Sequence, residues 1–183
     1  MTDPRVRRTR ESALGAARDL LLRDGLDAVT HLRVAQHSGL GRRTLYRHWP
    51  DRLDLLHDTL SAAEYPHAER TGDLRTDLVA HLEALRVALT DGPLAYVVAV
   101  LHERAAISPE LRPLRDRLTE QGCAPVREIL HAAVDTGALP ADLDVDAATA
   151  ALEGPIFYRA LVRAEPVPPE AVAVIVESFL AAR

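Results

Sequence analysis

The 183-residue chain contains no lysine, a single cysteine, and only 4% aromatic residues. A lone Cys123 excludes an internal disulfide and agrees with a reducing compartment. Lysine is missing from both ends of the chain alike, so its absence reflects GC-rich coding bias better than a functional choice. No apolar run approaches the roughly eighteen uncharged residues needed to span a bilayer. The N-terminus is arginine-rich but lacks the apolar stretch of a signal peptide. The expectation is therefore a cytoplasmic protein with no membrane partner.

Catalytic signatures are missing too. His102-Glu103 has no second histidine to complete a zinc-protease pair, and His81-x-Glu83 has no Pro-Cys-x-x-Cys partner for a zinc deaminase. There is no phosphate-binding glycine loop and no Gly-x-Ser-x-Gly elbow. The eight histidines show no tight ligand spacing, so neither a metal nor a cofactor is expected.

What is present is an ordinary globular composition, 48% hydrophobic and 27% charged, long enough for one domain or for a small module and a larger one. The net charge of -5 is unevenly spread. Residues 1–53 hold eleven arginines against six acids, a balance of +5; residues 54–183 hold eleven against twenty-one, a balance of -10. A basic front and an acidic body favour docking on a polyanion in one orientation.

Apolar spacing predicts helices throughout. Ala13, Ala16, Ala17, Leu20 and Leu21 form one face of a helix from about Arg7 to Arg23, with Gly25 as its stop. Thr30 caps a short helix through Ser38, Arg42 to Trp49 form another, and Asp51 caps a fourth containing Leu53, Leu56 and Leu60. After a polar stretch from Glu64 to Asp73, the stripe Leu78, Leu82, Leu85 and Leu89 restores the helical period. Leu94 to Leu101 is short enough for a strand, yet Leu94, Val97, Val98, Leu101 and Ala105 also fit a buried helix, the reading preferred here. A region from Leu111 to Ala133, bent near Gly122, is closed by Gly137 and Pro140. Two more helices follow, one holding Leu152, Ile156, Leu161 and Val162, the other Val172 to Leu180.

Residues Leu32 to Trp49 have the parts of a helix-turn-helix: two short helices, Gly39 for a left-handed turn, Leu40 to plug the gap, and Val34, Ala35 and Leu45 as an internal core. The second helix offers Arg42, Arg43, Thr44, Tyr46, Arg47 and His48 outward; arginines can read guanine edges, and the others suit phosphate oxygens. Trp49, beside Pro50, is expected to brace this helix against the first.

Gly25-Leu-Asp-Ala-Val-Thr30, Val34-Ala35, Ser38-Gly39-Leu40 and Thr44-Leu-Tyr-Arg-His-Trp-Pro50 together resemble the DNA-binding domain of the tetracycline-repressor (TetR) family, over roughly Arg7 to Leu60. The resemblance implies phosphate contacts from Thr30, Thr44, Tyr46 and His48, base contacts from Arg42 and Arg43, and a backbone clamp from Arg52. Gly41 replaces the family's usual Ser or Thr cap, and His31 stands at a usually apolar position with Leu32 beside it to turn inward.

The implied architecture is all-α, about nine helices: a helix-turn-helix DNA-binding domain at residues 1–53 and a helical effector-binding and dimerisation domain at 54–183. The implied partners are a palindromic double-stranded operator, a second copy of the chain and a small-molecule effector. Candidate effector residues are His81, Tyr96, Val100, His102, Leu118, Cys123 and Phe157. Candidate dimer residues are Leu152, Ile156, Val172, Ile175, Val176 and Phe179, although an internal core would show the same stripe. The competing readings are a helical small-molecule-binding or metal-dependent enzyme without DNA binding, and a helical scaffold or interaction protein, which would leave Arg42 to Arg52 unexplained.

Overall fold

The computed structural model describes residues 4–61 and 69–182, and places nine α-helices and no strand among them. They are α1 Pro4–Asp24, α2 His31–Ser38, α3 Arg42–His48, α4 Arg52–Ser61, α5 Leu74–Thr90, α6 Leu94–Ile107, α7 Arg112–Asp135, α8 Val145–Phe157 and α9 Pro169–Ala181. The first part of the polar stretch from Glu64 lies outside the described residues.

Local chemistry sets many of the boundaries. The Thr30, Asp73 and Asp144 side chains accept from the backbone N–H groups of Arg33, Thr76 and Ala147, satisfying donors that a helix start leaves orphaned. The Asp51 carboxylate does the same for the N–H of Asp54 at 2.9 Å. α1 begins at Pro4, earlier than its apolar pattern, because proline's missing N–H costs nothing in a first helical turn. The run Leu94 to Leu101 is helical, as preferred, and buries Leu94, Val97 and Leu101 on one side. α7 runs through Gly122 without a break and carries Pro125 inside it. α8 contains Pro155 and passes into a π-helical turn, Tyr158–Val162, closed by the N–H of Arg163 donating to the carbonyl of Tyr158 at 3.1 Å.

The chain divides into two compact units. The first joins Met1–Glu64 with Val100–Leu118; the second joins Tyr65–Ala99 with Thr119–Arg183. The sequence-based cut between residues 53 and 54 falls inside α4, whose Leu55, Leu56 and Leu60 are buried.

In the second unit Leu78, Leu82, Leu85 and Leu89 of α5 meet Val126 and Leu130 of α7, Leu152 and Ile156 of α8, and Val172, Val176 and Phe179 of α9. This corrects the expected dimer surface. Leu152, Ile156 and Val176 are fully buried, Val172 and Phe179 nearly so, and Ile175 packs partly against them. These side chains build the protomer's own core, because α8 and α9 turn their apolar stripes toward α5. Facing outward instead are Ala150 and Ala151 on α8, Tyr158 just after it, and Ala173, Val174 and Ser178 on α9.

No single helix among the described residues is long and apolar enough to cross a membrane. Leu82 has no exposed surface. Leu82→Ala is expected to destabilise the protein by about 2–5 kcal/mol, read as a lower urea midpoint; an unchanged midpoint would contradict this packing.

Candidate nucleic-acid interface

The turn between α2 and α3 rests on Gly39, whose φ of 72° is left-handed and strained for residues with a Cβ. Ser38 ties it down: its hydroxyl donates to the carbonyl of Val34 at 2.7 Å and accepts from the N–H of Leu40 at 3.3 Å. Across the turn, α3 starts at Gly41 without a side-chain cap. Glycine at such a position costs only a few tenths of a kcal/mol relative to Ser or Thr.

α3 is held from beneath by Leu45 and Trp49, both buried. The Trp49 indole N–H donates to the Asp58 carboxylate of α4 at 2.8 Å, and the Arg10 guanidinium of α1 lies 5.5 Å from the indole centroid. Arg10 also pairs with Asp58, so α1, α3 and α4 share one polar anchor. Trp49 does brace α3, as expected; its partnership with Asp58 and Arg10 has no signal in the sequence, because it joins charged residues from separate helices.

The outward face of α3 carries Arg42, Arg43, Tyr46 and Arg47 exposed, with Thr44 and His48 half-buried. None of Arg42, Arg43 and Arg47 has a hydrogen bond or ion pair among the described residues. Elsewhere in the first unit Arg23 and Arg33 engage Asp24, while Arg52 and Arg104 engage Asp27. An unpaired, hydrated guanidinium gives up no protein partner when it takes a phosphate or a guanine edge.

Three other sequence candidates are committed to the fold. The Thr30 hydroxyl caps α2. Arg52 donates through Nε to the carbonyl of Val29 and through Nη2 to that of Leu26, both at 2.9 Å, so its guanidinium secures the turn before α2. The Nε2 atom of His48 is buried with no hydrogen-bond partner. Burial, then the nearby Arg47 and Arg10 charges, hold its pKa below the ordinary 6.5. The pattern at the start of α2 also inverts: His31 is buried and Leu32 is exposed, the reverse of the expected arrangement.

Of the effector candidates, only His81 and Cys123 come together, on Glu153. Within the second unit a cavity of about 180 Å³ is lined by Asp77, His81, Gln121, Ala124, Pro125 and Glu128 among others, and of the seven candidates only His81 reaches it. His81 Nε2 meets the buried Glu153 carboxylate at 2.9 Å, and the Cys123 thiol lies 3.6 Å from the same residue. Burial and this carboxylate push the Cys123 pKa up to about 11, so the thiol stays protonated. Tyr96 and His102 are exposed, Val100 and Phe157 are half-buried, and Leu118 is core.

An all-helical chain that presents unpaired arginines on a short helix across a glycine turn is a helix-turn-helix DNA-binding regulator. Residues 13–59 match the family model for bacterial regulatory proteins of the tetR family, and residues 68–179 match the tetracyclin repressor-like C-terminal domain. The chain belongs to the TetR family of transcriptional regulators, which are not enzymes. It is 31% identical over 143 residues to the DNA-binding transcriptional repressor TetR of Mycobacteroides abscessus, covering 74% of each chain. It is 26% identical over 166 residues to the HTH-type regulator YdeS of Bacillus subtilis, covering 90% of this chain and 84% of that one. Among solved structures, the TetR family regulator SCO0332 is similar at 30% identity and a TM-score of 0.74, over 95% of this chain and 97% of that one.

The depressed pKa of His48 fixes a direction. The unfolded chain takes a proton near pH 6.5 that the folded protein resists, so this group's contribution is intact above that value and shrinks as pH falls below it. Between pH 8 and pH 5 the melting temperature of His48→Gln should fall less than that of the wild type. Parallel curves would contradict the buried placement of the ring.

Proposed function

We propose that the chain is a ligand-responsive repressor that binds a palindromic operator as a homodimer in the cytoplasm. The observation that carries the DNA-binding part is the row of Arg42, Arg43 and Arg47, exposed and without protein partners among the described residues, on a helix anchored from below. Arg42 and Arg43, at the start of α3, are suited to base edges, while Arg47 and Tyr46 are suited to the sugar-phosphate strand. Thr44 is suited to a phosphate oxygen, while Thr30, His48 and Arg52 act chiefly by holding these groups in place.

A helix of seven residues buries too little surface for tight specific binding, which is why such modules work as symmetric pairs on two-fold sites. The proposed partner surface is the outward side of α8 and α9, where Tyr158, Val162 and Val174 expose apolar area beside small residues. Repression is supported by two relatives that are repressors, that of M. abscessus and BepR of Brucella suis, which is 28% identical over 124 residues. The cavity around His81 is the proposed effector site. A ligand favouring the DNA-incompetent state a hundredfold would shift the balance by about 2.7 kcal/mol.

Selection of bound sequences from a random duplex pool tests this reading; a two-fold symmetric consensus is expected. Log affinity for that duplex should fall with log salt at a slope of about -5 to -9. A flat dependence would argue for another partner. Arg43→Ala should cost about 1–3 kcal/mol in binding and leave the melting temperature nearly unchanged. Equal affinity in a mobility-shift titration would remove Arg43 from the interface.

A further inference from the structure

We propose that His31 is a positioning residue for DNA recognition: its imidazole sets the Tyr46 ring in its DNA-contacting orientation before the duplex arrives. This rests on the reading of α3 as the recognition helix and adds a residue outside it. His31 opens α2, yet its side chain faces the far end of α3. Among the described residues of the first unit it is the one ionisable side chain in the buried core; the other buried polar group, Thr59, bonds its own helix through the carbonyl of Leu55.

Two contacts define the imidazole. Its Nε2 lies 2.7 Å from the backbone carbonyl of Trp49. A carbonyl only accepts, so Nε2 carries a hydrogen whether the ring is neutral or protonated, and the ring plane is fixed against the end of α3. One face of that plane stacks on Tyr46, with centroids 4.1 Å apart and planes 10° from parallel. The reference point is rigid, since Trp49 is buried, donates its own N–H to the carbonyl of Leu45 at 2.8 Å, and is tied to Asp58 through its indole. A continuous series of contacts therefore runs from Asp58 through Trp49 and His31 to the ring of Tyr46.

Tyr46 is 46% exposed, so desolvation alone holds its ring weakly. An unrestrained surface tyrosine samples several rotamers, and DNA binding would have to freeze one of them. Stacked on a fixed imidazole, Tyr46 has lost that freedom beforehand, and its contact forms without the ordering cost. An aliphatic residue at position 31 could fill the volume. It could neither donate to the Trp49 carbonyl nor offer a flat face to Tyr46.

The test is a double-mutant cycle on the full chain, using the duplex that the wild type selects from a random pool, with concentrations normalised to folded protein by thermal melting. His31→Leu should weaken binding about tenfold. Tyr46→Ala, costing about tenfold in the wild type, should cost less than about threefold in the His31→Leu background. Penalties that multiply to about a hundredfold would overturn the proposal, because a merely structural role for His31 leaves the Tyr46 penalty intact.

A second measurement needs no altered residue 31. Tyr46 ring-proton resonances, assigned by their loss in Tyr46→Phe, should lie upfield, shifted by the ring current of the imidazole stacked on the phenol. Resonances at the positions of a solvent-exposed tyrosine would also overturn it. If the wild type retains no duplex at all, the DNA reading itself fails and this proposal fails with it; tight wild-type binding with independent penalties removes only His31.

Discussion

A helix of seven residues has too few internal hydrogen bonds to persist by itself, so the DNA-facing surface depends on what holds α3 from outside. That hold is Trp49. Its indole is buried, its N–H donates to Asp58, the Arg10 guanidinium covers its face, and its backbone carbonyl receives His31. α1, α2 and α4 thus grip one residue at the end of α3. Leu45 one turn earlier and the Gly39 turn complete the placement. The arginines of α3 can stay exposed and unpaired because none of them is needed to keep the helix folded.

The distribution of charge follows the same logic. In the first unit Arg10, Arg23, Arg33, Arg52 and Arg104 are paired with Asp24, Asp27 or Asp58, and Arg52 additionally satisfies two backbone carbonyls. Pairing offsets part of the scaffold's positive charge, while the arginines of α3 stay uncompensated among the described residues. The second unit is organised differently. Its helices bury a leucine-rich core, and its polar interior is concentrated where His81, Glu153 and Cys123 meet beside a small cavity. Such a polar seam is costly to bury unless its members pair.

Much of the fold was legible from residue spacing. The stripes Ala13 to Leu21 and Leu78 to Leu89, the caps at Thr30 and Asp51, and the glycine turn at Gly39 all act through near neighbours on the chain, and each stands where the pattern put it. Side-chain roles were less legible. Leu152, Ile156, Val172, Val176 and Phe179 have the same spacing whether they face α5 or a second protomer. Arg52 looks like any other exposed arginine until the carbonyls of Leu26 and Val29 are seen in its reach. His31 and Leu32 compete for one inward position, and composition alone favours leucine. Burial goes to the histidine because only it can bond the carbonyl of Trp49, eighteen residues along the chain.

By itself, the order of residues determined an all-helical protein with a basic helix-turn-helix at its front, since periodicity, capping and turn chemistry are local and the Thr44 to Pro50 run is specific. Only the tertiary structure decided which arginines remain unpaired, which apolar stripes become core, and that Asp58, Trp49, His31 and Tyr46 stand in series. Those outcomes hang on contacts between residues far apart in the chain, where the partner rather than the residue's own chemistry selects the role.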